Sequence, residues 1–328
     1  MPRYELFGRE LDSDMPLPEL PAAAAGVPVR LSFERIRPAP HDGGWFAIWR
    51  RPDGAPAVRA CRTPSGYRIE YSGCAEFDVS PRRGLVQGDT IECPEELFRH
   101  FLLDQVMPLA MTLETPVLHA SSLAIDGRFV AFSGCGGAGK STLAIALARR
   151  GHALGGDDAL RVDARDAGVD AVAAYPGVRL WEDSERAVAA DLAGSGRTER
   201  IAKQRFSSGL RVVRGARALT RVYVLDPASA GAIAFERLSP RDAAIELLSA
   251  TYRLALDDRA AIAREFDTLT SVASRVECWR LRFPRRLDAW PALAAEVEAH
   301  VRGIPDSRTP DAGRRTSDPG PRTSELPA

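Results

Sequence analysis

The run from residue 128 to 158, RFVAFSGCGGAGKSTLAIALARRGHALGGDD, restricts the fold more than any other stretch of the 328-residue chain. An apolar strand-like segment leads into a glycine cluster. A single lysine then opens an apolar helix-forming stretch, and a second short strand ends in two aspartates. Gly134, Cys135, Gly136, Gly137, Ala138, Gly139, Lys140 and Ser141 fit the spacing GxxxxGK[ST]. That spacing lets successive backbone N–H groups converge on a phosphate, and only small residues let the chain come close enough. A helix starting at Lys140 adds its free N–H groups and its dipole. Lys140 would reach the β- and γ-phosphates, the Ser141 hydroxyl would face Mg²⁺, and Thr142 would join the nucleotide-binding set. The competing explanation is a chance match in a Gly- and Ala-rich chain; the strand before and the amphipathic helix after argue against it. Cys135 reads as a tolerated small residue rather than a redox switch.

A nucleotide loop alone does not define an activity; the acids beside it do. Asp157 and Asp158 end the strand after the loop helix, where α/β folds place ligand-facing residues. Two adjacent carboxylates could divide the work, one orienting Mg²⁺ or its waters and the other taking a hydroxyl proton. An Asp-rich turn capping the strand is the plainer alternative. Asp226, closing RVYVLD, is the rival acid, but Pro227 follows at once, as at an ordinary strand exit.

Residues 1–95 read as a small β-rich N-terminal domain of short strands punctuated by Gly, Pro and Asp turns, with Tyr67, Ile69 and Tyr71 alternating against polar neighbours. Residues 96–114 read as a connecting helix with an apolar stripe at Leu97, Phe98, Phe101, Leu102 and Val106. Residues 115–303 alternate strands and helices. In them VLHASSLAID is expected as one strand and SPRDAAIELLSATYRLAL as one helix, opened by a Ser239–Asp242 cap. Residues 304–328, rich in Pro, Ser, Thr and Arg, read as a disordered tail. Lys plus Arg and Asp plus Glu both number 44, so no net charge argues for nucleic acid or an anionic membrane as partner. The five cysteines are odd in number and lack CxxC spacing, which argues against a disulfide framework and a zinc site and fits a reducing cytosol. The N-terminal charges do not suit a signal peptide, and no apolar run reaches the roughly 18 to 20 residues needed to span a bilayer. A cytoplasmic protein is expected.

RRGHALGGDD resembles the "RGH-L-DD" segment of the bacterial HPr kinase/phosphorylase catalytic domain, with a matching distance from the glycine loop. His119, in LHASSLAIDG, matches that family's histidine on the strand pair before the loop. The resemblance covers roughly residues 115 to 300. It implies an α/β fold, a P-loop kinase core of the HPr kinase type beside the β-rich N-terminal domain. It also implies ATP and Mg²⁺ as cofactors and roles for Lys140, His119, Asp157 and Asp158 in catalysis. The chain departs from the family after the aspartates, where it reads AYPGVRLWEDSERA instead of the "EIRG-G-I" signature, and at Thr142, where HPr kinases usually carry an acid. Neither a phosphorylase activity nor HPr as acceptor is therefore implied. YELFGREL, PGVRLW and LSPRDAAIELL look like the HPr-kinase-related proteins of peptide and polysaccharide gene clusters. Among these are the lasso-peptide precursor kinases, which phosphorylate a C-terminal serine.

Weaker candidates are Glu182 and Asp183, as a second metal-side acid or a solvated helix start, with Asp183 joining Ser141 and Asp158 in the metal set. Lys203 and Arg205 are candidates to close over the γ-phosphate, or else belong to a basic surface loop; Arg179 is placed similarly. The leading expectation is a Mg·ATP-dependent kinase acting on a serine-type hydroxyl of a peptide or protein. The alternatives are a kinase for a sugar or free amino acid, and a nucleotide-binding regulator without transfer activity. Related kinases are commonly oligomeric, which leaves a homo-oligomer open.

Overall fold

The computed structural model describes residues 1–24, 29–40, 44–194, 203–227 and 231–303. The tail expected at 304–328 lies outside the described residues. The fold is mixed α/β with several sheets. The first sheet comprises β1 (Arg3–Leu6), β2 (Arg9–Ser13), β3 (Val29–Glu34), β4 (Trp45–Arg50), β5 (Pro56–Thr63), β6 (Gly66–Tyr71), β7 (Ala75–Ser80) and β8 (Leu85–Thr90). Its spatial order is β1-β2-β3-β8-β7-β6-β5-β4, so β4 closes one end. Tyr67, Ile69 and Tyr71 are buried, as their alternation requires.

A helix then crosses to the second half as α1 (Glu95–Phe101), one π-helical turn (Leu102–Val106) and α2 (Met107–Met111). The widening has a local cause. Pro108 has no N–H to offer the Asp104 carbonyl four residues back, and its ring crowds that carbonyl. The turn that widens carries Asp104, a buried acid within an otherwise apolar stretch.

The second sheet contains β9 (Val117–Leu118), β10 (Ser121–Ile125) and β11 (Arg128–Ser133). The loop helix α3 (Lys140–Arg149) follows, then β12 (Ala153–Gly156), β13 (Leu160–Arg165) and β14 (Gly168–Ala173). A separate pair, β15 (Val178–Leu180) and β16 (Gln204–Phe206), flanks α4 (Glu182–Val188). β17 (Arg217–Asp226), β18 (Ala234–Arg237), α5 (Pro240–Ser249), α6 (Arg259–Arg275), β19 (Glu277–Arg282) and α7 (Trp290–Gly303) complete the chain. β11 runs parallel to β17, and β17 parallel to β19; β10 lies antiparallel between β11 and β12.

Three expectations need correction. The run VLHASSLAID is not one strand: it breaks at His119 and Ala120, where the chain stops pairing with β13 and starts pairing with β11 and β12. The helix expected to continue past Ser249 stops there. Thr251 bridges to Leu118, and the Tyr252 N–H donates to the Val117 carbonyl at 2.9 Å, so strand pairing outcompetes another helical turn. Cys74 and Cys93 are joined by a disulfide. Antiparallel pairing of β7 with β8 brings the residues flanking the two strands together, a proximity that cysteine counting cannot register. Cys61, Cys135 and Cys278 are free.

The N-terminal sheet shares its core with the rest of the molecule. One apolar cluster runs from Phe33 and Phe77 through Phe98 and Met107 to Val117, Tyr175 and Leu254. The Phe7 N–H donates to the Ala174 carbonyl at 2.8 Å across the same junction. No helix among the described residues is long and apolar enough to cross a membrane.

Candidate functional site

The glycine stretch forms the turn between β11 and α3. Gly139 begins the helix at φ +98°, and a Cβ there would stand 2.2 Å from the Trp290 ring, so glycine is required on both counts. Lys140, 4% exposed, folds back to donate from Nζ to the Gly134 carbonyl at 2.9 Å and the Cys135 carbonyl at 3.2 Å. Burial lowers its pKa, opposed by the negative charges of Asp157 and Asp158. The Thr142 hydroxyl donates to Ser184 Oγ at 3.0 Å on α4.

The aspartates arrive on β12 because its last residues are glycines. A Cβ on Gly156 would lie 2.6 Å from the Tyr175 carbonyl oxygen and 2.9 Å from Ala173 Cβ. Only glycine lets the strand press that close. The two acids then diverge. Asp157 is buried, with Oδ1 accepting from Ser121 Oγ at 2.5 Å and Oδ2 from the Arg179 N–H at 3.3 Å. Asp158 takes a left-handed backbone (φ +63°) and lines a cleft with Gly136, Lys140 and Ser141. Burial, then the charges of Asp157 and Asp104, push its pKa up to about 7.

His119 Nε2 stands 3.9 Å from Asp158 Oδ1. Its Nδ1 is 3.0 Å from the Tyr252 hydroxyl, which donates to the Asp158 carbonyl at 3.2 Å. Since the tyrosine proton points at that carbonyl, Nδ1 carries the imidazole hydrogen and Nε2 faces Asp158 as an acceptor. Burial, with the Lys140 charge adding to it, lowers the His119 pKa to about 4, so the ring is neutral at neutral pH.

Arg179 is buried and its Nε lies 2.8 Å from Asp104 Oδ2. Asp104 also meets His100 Nδ1 at 2.6 Å and accepts from the Tyr175 hydroxyl. Burial pushes the Asp104 pKa up, but the His100 hydrogen bond and the Arg179 charge outweigh it and hold the carboxyl below its usual range. Lys203 lines the same cleft, its Nζ 5.6 Å from the Trp181 ring centroid.

The structure thus brings His119, the glycine loop, Lys140, Ser141, Thr142, Asp158, Arg179 and Lys203 around one cleft. It does not bring Arg205 or Asp183 there. Arg205 is buried elsewhere, donating to the Glu19 and Pro176 carbonyls at 2.9 and 2.8 Å. Asp183 is 70% exposed and pairs with Arg186 on the outer side of α4, beside exposed Glu182. Asp226 pairs with Arg282 at 3.5 Å and lines neither this cleft nor the cavity behind it. The RGH segment divides likewise: Arg150 and His152 both bind Glu298, at 2.7 and 2.6 Å, and tie the end of α3 to α7.

Among the described residues no group of three or more His, Cys, Asp or Glu could hold a metal ion. The Ser141 hydroxyl and the Asp158 carboxylate nevertheless fit Mg²⁺, which takes hard oxygens from one or two side chains and completes its shell with phosphates and water.

Behind Asp158 the cleft opens into a second cavity of about 640 Å³, and the two share His119, Asp158, Arg179, Trp181 and Lys203. The remaining walls come from β4, β5 and β6 of the first sheet, the crossing helix and Tyr252. Sequence reasoning missed Asp104, Tyr252 and this wall. Only Asp104 left a trace, as a lone acid in the apolar run FLLDQV.

No protein-family model matches the chain, and no curated protein does either. Among solved structures it is similar to the Hpr(Ser) kinase/phosphatase from Coxiella burnetii. That similarity has 16% identity and a TM-score of 0.30, over 57% of this chain and 94% of that one. So loose a superposition carries no argument about chemistry.

Proposed function

We propose that this chain is a Mg·ATP-dependent kinase for a serine-type hydroxyl on a peptide or protein. The observation that carries the reading is the position of Asp158 at the junction of two cavities. One cavity is lined by the glycine loop, Lys140 and Ser141; the other is large enough for an acceptor. A nucleotide sensor has no use for a carboxylate between its phosphate loop and a second cavity. In the proposed reaction the loop N–H groups and Lys140 hold the phosphates. The acceptor oxygen attacks the γ-phosphorus, the bond to the β–γ bridging oxygen breaks, ADP leaves, and the hydroxyl proton passes to Asp158. Asp157, with both oxygens engaged, positions Arg179 and the turn rather than taking that proton. His119, oriented by Tyr252, presents Nε2 to the Asp158 carboxyl and can accept a hydrogen bond from it once the proton has arrived. Mg²⁺ held by Ser141 and Asp158 would neutralise phosphate charge.

The sequence resemblance supplies the first acceptor to try, the C-terminal serine of a lasso-peptide-type precursor. The test is to incubate the purified chain with Mg·ATP and a lasso-peptide-type precursor ending in serine, then measure intact peptide mass. One added phosphate, lost when the acceptor serine becomes alanine, supports the proposal. No gain, with rapid ADP release on adding a sugar or free amino acid, replaces it with a metabolite kinase.

A further inference from the structure

The second cavity has a chemical character of its own. Trp49, Val58 and Tyr71 form one cross-strand row, Trp49 opposite Val58 and Val58 opposite Tyr71, so their side chains share a face of the sheet. Leu109 from the crossing helix lines the same cavity, and Trp181 and Tyr252 lie toward Asp158. The Tyr71 ring stacks on Phe101 at 4.0 Å and 9°. Its hydroxyl oxygen is buried and has no hydrogen-bond partner among the described residues. A volume of about 640 Å³ falls within the roughly 300–1,000 Å³ of sites for drug-sized molecules. A free amino acid would leave most of it to water.

We infer that this cavity holds the flank of a peptide acceptor: a bulky apolar side chain adjacent to the hydroxyl-bearing residue. The inference rests on the kinase reading above and names its acceptor class. With the apolar side chain against Trp49, Val58 and Leu109, the neighbouring hydroxyl is delivered to Asp158 at the junction. An acidic flank is disfavoured, because its carboxylate would lie unpaired against Trp49, Val58 and Leu109.

The test uses the full chain and pentapeptides Gly-Gly-Gly-X-Ser, labelled with fluorescein at the N-terminus and ending in a free C-terminal serine, with X as Trp, Leu, Gly or Asp. Anisotropy reads binding, and intact mass reads transfer from Mg·ATP. The Trp and Leu peptides should exceed Gly and Asp by about tenfold or more in kcat/KM, the scale on which an apolar pocket discriminates. Trp49→Ala should raise KM for the Trp and Leu peptides about tenfold with kcat held. Equal phosphorylation for every X, untouched by Trp49→Ala, overturns the pocket and leaves the kinase reading standing. Binding that depends on X and falls with Trp49→Ala, without phosphate gained by any peptide, supports the pocket and overturns the kinase reading.

Discussion

On its loop side Asp158 faces a cleft built around one contiguous stretch, Gly136, Gly137 and Gly139 of the glycine loop with Lys140, Ser141 and Thr142 of the first turn of α3, and completed by His119, Arg179 and Lys203. On its other side it faces a cavity made of side chains from β4, β5, β6, the crossing helix and Tyr252, spread over some two hundred residues of sequence. The first suits a charged group that every substrate of this kind would share. The second suits what differs between acceptors. Chemistry common to a reaction is met by backbone N–H groups and one lysine, whereas selectivity needs shape, and shape needs side chains from several elements.

Substitutions should therefore weaken in effect as they leave the junction. Asp158→Asn strikes both cavities: transfer should fall by roughly 10²- to 10⁴-fold, about 3 to 5.5 kcal/mol of barrier, with nucleotide affinity nearly kept. Single-turnover rates beside calorimetric ADP affinity check it, and normal turnover would remove Asp158 from the chemistry. Lys140→Ala strikes only the loop side. Turnover should drop about 10²- to 10³-fold together with Mg·ATP affinity, while acceptor-peptide binding persists. Wild-type affinity and turnover together would overturn the loop assignment.

Glu298 lies outside both cavities and tests stability alone. Its two-point contact with Arg150, joined by His152, holds its pKa at about 2 against an ordinary 4.5. Because the folded value is the lower one, its contribution is present above about pH 4.5 and is lost as pH falls toward 2. Glu298→Gln should thus cost up to about 3 kcal/mol near neutral pH and flatten the acid limb of the melting-temperature profile. Kinase activity at permissive temperature should remain. An unchanged acid limb would show that the α3–α7 tie contributes nothing. Asp226→Asn should do least, within about 0.5 kcal/mol in stability and near wild type in turnover. If that variant alone were inactive, the working acid would lie on β17 and the comparison of cavities would lose its pivot.

The resemblance segment RRGHALGGDD shows how far a motif can be read. Its glycines and aspartates sit where the spacing places them, at the end of the strand after the loop helix. Its arginine and histidine serve α7, a partner 148 and 146 residues away, and no local pattern distinguishes that duty from catalysis. Lys203 and Arg205 teach the same lesson in reverse. They are two residues apart and alike in charge, yet Lys203, just before β16, lines the cleft while Arg205, within β16, is buried against the Tyr175 ring.

The sequence by itself determined the glycine-rich loop, the helix behind it and the strand that presents two carboxylates. Each is specified by neighbours along the chain: glycine where the backbone must approach, an apolar strand before, a helix after. Tertiary structure alone decided that Asp157 is tied down while Asp158 faces open space, because Ser121 and Arg179 reach only the first. It also decided that Tyr252 orients His119 and that Cys74 meets Cys93. The row Trp49–Val58–Tyr71, closed against the crossing helix, arises the same way. Those outcomes depend on which strands pair and which faces pack, free energies summed over contacts distant in sequence, which no local pattern encodes.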